Sequence, residues 1–160
     1  MEASGIVETK YAIEFMPSAA LTFERNYPGA TVYNQCANLL LARAIGQHMD
    51  GRELAPEQDF LGRRLPDMPA PGQVDFIYCG PPCQGFSGIN RFPKADDIKN
   101  TLVTTSLSYV DFYRPRYFLL ENVYGMVRFR LGGTQDSSAK IKDGIKMGVL
   151  KFIIRALTSM

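Results

Sequence analysis

Strong charge of one sign is missing from this chain: 18 basic residues meet 16 acidic ones, leaving a formal net charge of +2 over 160 residues. A protein that grips a polyanion by its overall field carries a larger excess, so any nucleic-acid binding must rest on local residues. Cysteine is scarce. Cys36, Cys79 and Cys83 form an odd set, and no basic segment followed by an apolar run opens the chain. That argues against a secreted disulfide scaffold and makes a reducing compartment, cytosol or nucleus, the expectation. The single histidine, His48, and the three cysteines lack the paired short spacings of a structural zinc site, so no metal is expected. No apolar run approaches the ~20 residues of a bilayer-spanning helix, so no membrane partner is expected either. What is present is ordinary globular usage, 46% hydrophobic and 21% charged, in a chain long enough for one domain with a real core.

Short apolar runs alternate with helical patterns along the sequence. Residues 10–15 read as a short buried strand ending in an acid, Glu14, and residues 17–26 as a helix. Pro17 suits the first turn of that helix, and Ala20, Leu21 and Phe23 are expected on its inward face. Tyr27-Pro28-Gly29 stops it; 31–33 is a second strand, and 37–45 a second helix with Gly46 near its end. Residues 50–72 carry Pro56, Pro66, Pro69, Pro71 and a run of charge, and read as a surface loop or insertion. Residues 75–79 are the clearest strand; 80–88, with two prolines and three glycines, must be a loop. A helix over 100–113 ends at Arg114-Pro115, and 116–120 is another buried strand, again followed by an acid, Glu121. Residues 131–143 look like a polar, Gly-rich loop, and 146–160 a helix with Val149, Leu150, Ile153 and Leu157 on one face.

This alternation predicts an α/β fold, a mostly parallel sheet with helices on both faces. Open sheets of this kind bind ligands outside the carboxyl ends of their strands. Glu14, Cys83 and Glu121 each end or follow a predicted strand, so one rim is expected to carry all three. Two prolines fix the backbone before Cys83, while Gly85 and Gly88 allow close approach after it. Such a loop holds a nucleophilic thiol rigidly; it suits a structural cysteine equally well. Glu121 follows an apolar strand, where desolvation would favour the protonated acid and make it a proton donor; a solvated or capping carboxylate is the alternative. Asn122 is placed to orient that carboxylate or bond the cysteine loop. Glu14 stands where an acid commonly takes the ribose hydroxyls of an adenosyl or nicotinamide cofactor, although many strands simply end in an acid.

At these residues a resemblance emerges. Gly80-Pro81-Pro82-Cys83-Gln84-Gly85-Phe86-Ser87 resembles the catalytic motif of cytosine-5 DNA methyltransferases, and Leu119-Leu120-Glu121-Asn122-Val123 their second catalytic motif. Tyr11-Ala12-Ile13-Glu14-Phe15 with Pro17-Ser18-Ala19-Ala20 is similar to their acidic cofactor segment and its helix, and Asn38-Leu39-Leu40-Leu41 to a further family stretch. Gly88-Ile89-Asn90-Arg91-Phe92 and Tyr109-Val110-Asp111-Phe112-Tyr113-Arg114-Pro115-Arg116 resemble the eukaryotic maintenance-type branch. The likeness spans nearly the whole chain except 50–72 and the polar stretch after Gly132.

The resemblance implies a Rossmann-like S-adenosylmethionine-dependent fold, a nuclear location and double-stranded DNA with a flipped-out cytosine as substrate. It casts Cys83 as nucleophile and Glu121 as the acid at the base. Pro81, Pro82, Asn122 and Val123 support them; Gln84, Ser87 and Arg91 meet DNA; Glu14 and Phe15 hold the cofactor's ribose and adenine. Cys36 and Ala37 stand where the family often has an Asp on the adenine. The family's Gly-rich cofactor turn, its later Arg-containing motif and its target-recognition domain are not in these 160 residues. Residues 1–160 are therefore expected to be a partial catalytic domain, truncated at both ends and completed by further domains or a partner chain, or an inactive interaction remnant of the same fold. A redox reading of Cys79-Gly80-Pro81-Pro82-Cys83 has one residue too many between its thiols. Methylators of DNA amines use an Asp/Asn-Pro-Pro-aromatic loop in place of Pro-Cys.

Overall fold

The structure is a computed structural model that describes residues 2–51, 55–82, 101–135 and 141–160. The chain divides into two compact units, Met1–Pro71 and Gly72–Met160.

In the first unit, β1 (Tyr11–Ile13), α1 (Pro17–Asn26), β2 (Thr31–Tyr33) and α2 (Ala37–Ile45) follow one another, and a π-helical turn, Gly46–Asp50, extends α2. β1 and β2 pair in parallel, Tyr11 opposite Thr31 and Ile13 opposite Tyr33. Parallel neighbours need a crossover, and α1 supplies it, making a βαβ unit. Pro17 opens α1, where its missing N–H costs no helical bond. Ala20 is fully buried and Phe23 half-buried on the inward face, but Leu21 is 38% exposed. One residue on from Ala20 is 100° around the helix, and the buried stripe of α1 is too narrow to include both. β1 is also less buried than its apolar sequence suggests: Tyr11 and Ile13 are exposed, and the covered residue is Ala12 between them.

Residues 55–71 run without helix or named strand, closed by one antiparallel bridge between Gln58 and Arg64. This segment is more than a surface loop, because Leu65 and Met68 are buried at 3% and 4% exposure. Side chains of β2, α2 and the π-turn fasten it. Tyr33 Oη donates to Asp67 O at 2.7 Å, Arg43 Nη1 to Pro56 O at 3.2 Å, and Gln47 Oε1 accepts Met68 N–H at 3.0 Å. A Pro-rich backbone cannot satisfy itself by a ladder, so its carbonyls are met by side chains instead.

The second unit holds β3 (Phe76–Cys79), α3 (Thr101–Tyr113), β4 (Tyr117–Leu120), α4 (Tyr124–Arg128), β5 (Thr134–Gln135), β6 (Ile141–Lys142) and α5 (Gly148–Ser159). β3 and β4 pair in parallel from Phe76–Tyr117 to Cys79–Leu120, a second βαβ arrangement with α3 between them in sequence. α3 stops at Arg114, whose φ of 50° breaks the helix just before Pro115. The core joins Val103 and Leu107 of α3, Met126 of α4, and Val149 and Ile153 of α5, with Phe118 and Leu120 of β4 packed on it. β4 is thus buried on one face only: Tyr117 and Leu119 are 68% and 46% exposed, where the apolar run predicts burial throughout. α5 buries Val149 and Ile153 as its periodicity predicts, while Leu157 at its far end stays 37% exposed. The stretch 131–143 contains a small antiparallel hairpin, β5 with β6, in place of a plain loop. Two-residue strands are too short to leave a periodic signal.

Candidate functional site: the ends of the parallel strand pairs

In the first unit the carboxyl ends of β1 and β2 lie side by side. Glu14 N–H donates to Tyr33 O at 3.1 Å, continuing the ladder one residue past β1. The chain then turns sharply, and Glu14 Oε1 accepts the N–H of Met16 at 2.9 Å. Asn34, with no exposed surface, holds this turn from below: its Nδ2 donates to Glu14 O at 2.8 Å and to Phe15 O at 3.1 Å. The Phe15 ring is left 59% exposed. Glu14 also lines an open groove of about 460 Å³ along α1, with Ser18, Thr22 and Asn26. Cys36 caps α2 and Ala37 begins it, both half-buried. The Cys36 N–H is taken by Gln35 Oε1 at 2.9 Å, while Gln35 Nε2 donates to Gln58 O at 3.1 Å. The structure therefore brings Glu14 and Phe15 beside the 34–37 segment. Asn34, an unremarkable polar residue after a strand in the sequence, is the side chain that joins the two, while Gln35 ties the same segment to Gln58.

In the second unit the ends of β3 and β4 are joined in the same way. Glu121 N–H donates to Cys79 O at 2.8 Å. Asn122 Nδ2 donates to Pro81 O at 3.1 Å, and its Oδ1 accepts the Val123 N–H at 2.9 Å. One amide thus braces the Pro-Pro segment against the Glu-Asn-Val segment. A Cβ on Gly80 would stand 3.1 Å from Glu121 Oε2, so the absence of a side chain there is what lets the carboxylate lie over the loop. Glu121 itself is exposed, in contrast to the apolar setting expected at the end of its strand. β4 is buried on one face only, and the position after it stays open to solvent. Cys79 is half-buried; burial pushes its thiol up, countered in part by a hydrogen bond with Ser106. A thiol so held is a poor thiolate source, which weighs against a redox role for Cys79. Cys83, Gln84, Ser87 and Arg91 lie outside the described residues.

Residues 1–143 match the family described as C-5 cytosine-specific DNA methylase. The chain is 45% identical over 129 residues to DNA (cytosine-5)-methyltransferase 1 of Rattus norvegicus, covering 79% of this chain and 7% of that protein. It is 40% identical over 146 residues to DNA (cytosine-5)-methyltransferase 4 of Arabidopsis thaliana, covering 84% of this chain and 9% of the other. With DNA (cytosine-5)-methyltransferase 2 of Arabidopsis thaliana the identity is 36% over 167 residues, 94% of this chain and 11% of the relative. The chain thus spans about a tenth of the length of these curated relatives. A match over most of the chain, carried through both strand-end segments, shows that it belongs to the C-5 cytosine-specific DNA methylase family.

Proposed function

We propose that this chain carries the catalytic segment of a DNA (cytosine-5)-methyltransferase, which moves a methyl group to C5 of cytosine in double-stranded DNA. The observation that carries the reading is the Asn122–Pro81 hydrogen bond, which docks the residues just before Cys83 against those just after Glu121. In this reading each βαβ unit is a piece of a Rossmann-like fold, with Glu14 at the carboxyl end of one strand pair and Glu121 at that of the other.

The residues present suit S-adenosylmethionine. A half-buried carboxylate, Glu14, fits a vicinal diol, and the exposed Phe15 ring beside it fits a purine. The target cytosine is flipped out of the stack, because its reacting carbons are inaccessible in the duplex. The Cys83 thiolate adds to C6, and Glu121 holds or protonates N3, so that negative charge does not build up on the ring. C5, made electron-rich, takes the methyl group, which is the chemistry that S-adenosylmethionine supplies when bound. A base then removes the C5 proton, and the electron pair of that bond re-forms the ring double bond as Cys83 leaves. Pro81 and Pro82 hold the thiol loop, braced by Asn122 and the turn at Val123. Gln84, Ser87 and Arg91 meet the DNA, Arg91 at a phosphate. A nuclear location follows from that substrate.

The test is Cys83→Ser in the intact parent enzyme. A hydroxyl offers almost no alkoxide at neutral pH, so methyl transfer and the covalent trap with 5-fluorocytosine DNA should both vanish. Trapping retained in the serine variant would remove Cys83 from its role. Loss of neither activity nor trapping in Glu121→Gln would do the same for Glu121.

A further inference from the structure

We infer that Phe60, carried by the 55–71 segment, is the second aromatic wall of an adenine subsite whose first wall is Phe15, and that Asn34 positions both. The inference rests on the cofactor reading of Glu14 and Phe15 and adds to it a residue from the stretch that reads in sequence as a mere loop.

Three observations converge. Phe15 and Phe60 touch edge to face, with ring centroids 5.0 Å apart and planes at 73°. Yet both remain open to solvent, 59% and 44% exposed. Two rings at nearly a right angle form an apolar corner, and a planar heterocycle can lie on the face of one while meeting the other. Such stacking tolerates any purine face and needs no charge.

The corner is also rigid, and one residue makes it so. Asn34 Nδ2 donates to the carbonyls of Glu14 and Phe15, and the Asn34 carbonyl accepts the Phe60 N–H at 3.0 Å. A flipped amide would set Oδ1 against two carbonyl oxygens, so the donor orientation is the one the neighbours allow. Because Asn34 is fully buried, these bonds are shielded from water and hard to replace.

Phe60 further sits at the tip of a locked turn. Asp59 Oδ1 accepts the N–H groups of Leu61 and Arg63 at 2.9 and 2.8 Å, and its Oδ2 accepts Arg63 Nε at 2.7 Å. The Arg63 guanidinium then reaches Glu24 of α1, with Nη2 at 2.9 Å from Oε1. The helix that follows the Glu14 turn and the turn that carries Phe60 are thereby pinned together. Glu14, adjacent to Phe15 in the chain, supplies a carboxylate for a diol next to a corner for a ring. Diol and purine are the two halves of an adenosine, which favours this ligand over a protein partner for the patch.

The experiment is a nuclear magnetic resonance titration of the 160-residue chain with S-adenosylhomocysteine, with adenosine as the minimal probe. Adenine H2 and H8 should show contacts to the rings of both Phe15 and Phe60. Phe60→Ala should raise the dissociation constant about tenfold, the scale of one lost base–aromatic stack, and Phe60→Trp should restore it. Phe60 is 44% exposed and outside the buried core, so the alanine variant should keep its fold, checked by its amide spectrum. Asn34→Ala should weaken binding and also remove the Phe15–Phe60 ring contacts in the ligand-free chain. If Phe60→Ala binds as well as the parent while Glu14→Gln binds less well, the Phe60 assignment is overturned and the cofactor reading stands. If no binding depends on either residue, both are overturned.

Discussion

Tyr33 shows how a single side chain carries both packing and polarity here. It is 1% exposed, and its hydroxyl donates to Asp67 O. Burial, with smaller contributions from Tyr11 and Asp67, pushes its phenol up to about 12. An acid whose pKa is raised by folding stabilises the fold below its unfolded pKa of about 10, and that stabilisation is lost as pH rises through the folded value. Urea midpoints should therefore fall between pH 10 and about 12 in the parent, and fall less in Tyr33→Phe. Near neutral pH the phenylalanine variant should be weaker by about 1 kcal/mol, for one lost hydrogen bond. Gly80 calls for a different test. Its added methyl would meet the end of a flexible side chain, Glu121 Oε2, and not backbone. Gly80→Ala should leave the melting temperature nearly unchanged while lowering methyl transfer by the intact enzyme roughly ten- to hundredfold, since a small displacement of a reacting group is costly. An equal loss of stability and activity would show that Gly80 is structural only.

At the scale of elements, the 55–71 strap and α5 depend on particular contacts. Asp59 is nearly buried, yet its carboxyl is held below the usual range. Burial alone would raise it, and the Arg63 and Leu61 hydrogen bonds outweigh that. Its stabilisation is present above the unfolded pKa near about 4 and is lost as pH falls through the lower folded value. Asp59→Asn should cost about 1–3 kcal/mol at pH 7 and flatten the acid limb of the stability curve, as measured by urea unfolding. In α5, Ile153 belongs to the core of the second unit, and Ile153→Ala should cost about 2–5 kcal/mol. Leu157→Ala, on an exposed residue one turn on, should cost far less. Gly148 at the start of the same helix separates propensity from packing. Alanine is the better helix former, but its Cβ would lie 2.7 Å from the Leu131 backbone nitrogen. The clash should prevail, and Gly148→Ala should lower the thermal midpoint, not raise it.

For the molecule as a whole, the testable question is whether these 160 residues transfer methyl groups on their own. The sequence holds no Phe-x-Gly-x-Gly turn, whose backbone N–H groups the resemblance assigns to the cofactor's methionine end. A net charge of +2 offers little field to hold DNA. The chain expressed alone should therefore not transfer label from S-adenosylmethionine to cytosine-containing DNA. Incorporation that depends on Cys83 would overturn this expectation and show that the segment is self-sufficient.

The sequence by itself determined the elements with strong local signals. Pro17 opening α1, the stop at Arg114-Pro115, the apolar runs of β3 and β4 and the spacing of Val149 and Ile153 are local rules of backbone and period, legible within a few residues. So were the two motifs that carry the family, because their chemistry needs consecutive residues. The five-residue α4 and the β5–β6 hairpin left no such mark, being too short to repeat a hydrophobic period. Only the tertiary structure decided which face of β4 is covered and that Leu21 looks outward, since burial depends on what lies opposite. It also turned the Pro-rich 55–71 stretch into a fastened strap, through partners such as Tyr33, Arg43 and Gln47 that are distant in sequence. The meeting of Phe15 with Phe60, and of Asn122 with Pro81, belongs to the same class. Long-range pairs of single side chains have no periodicity to read, and the folded backbone alone brings them within reach.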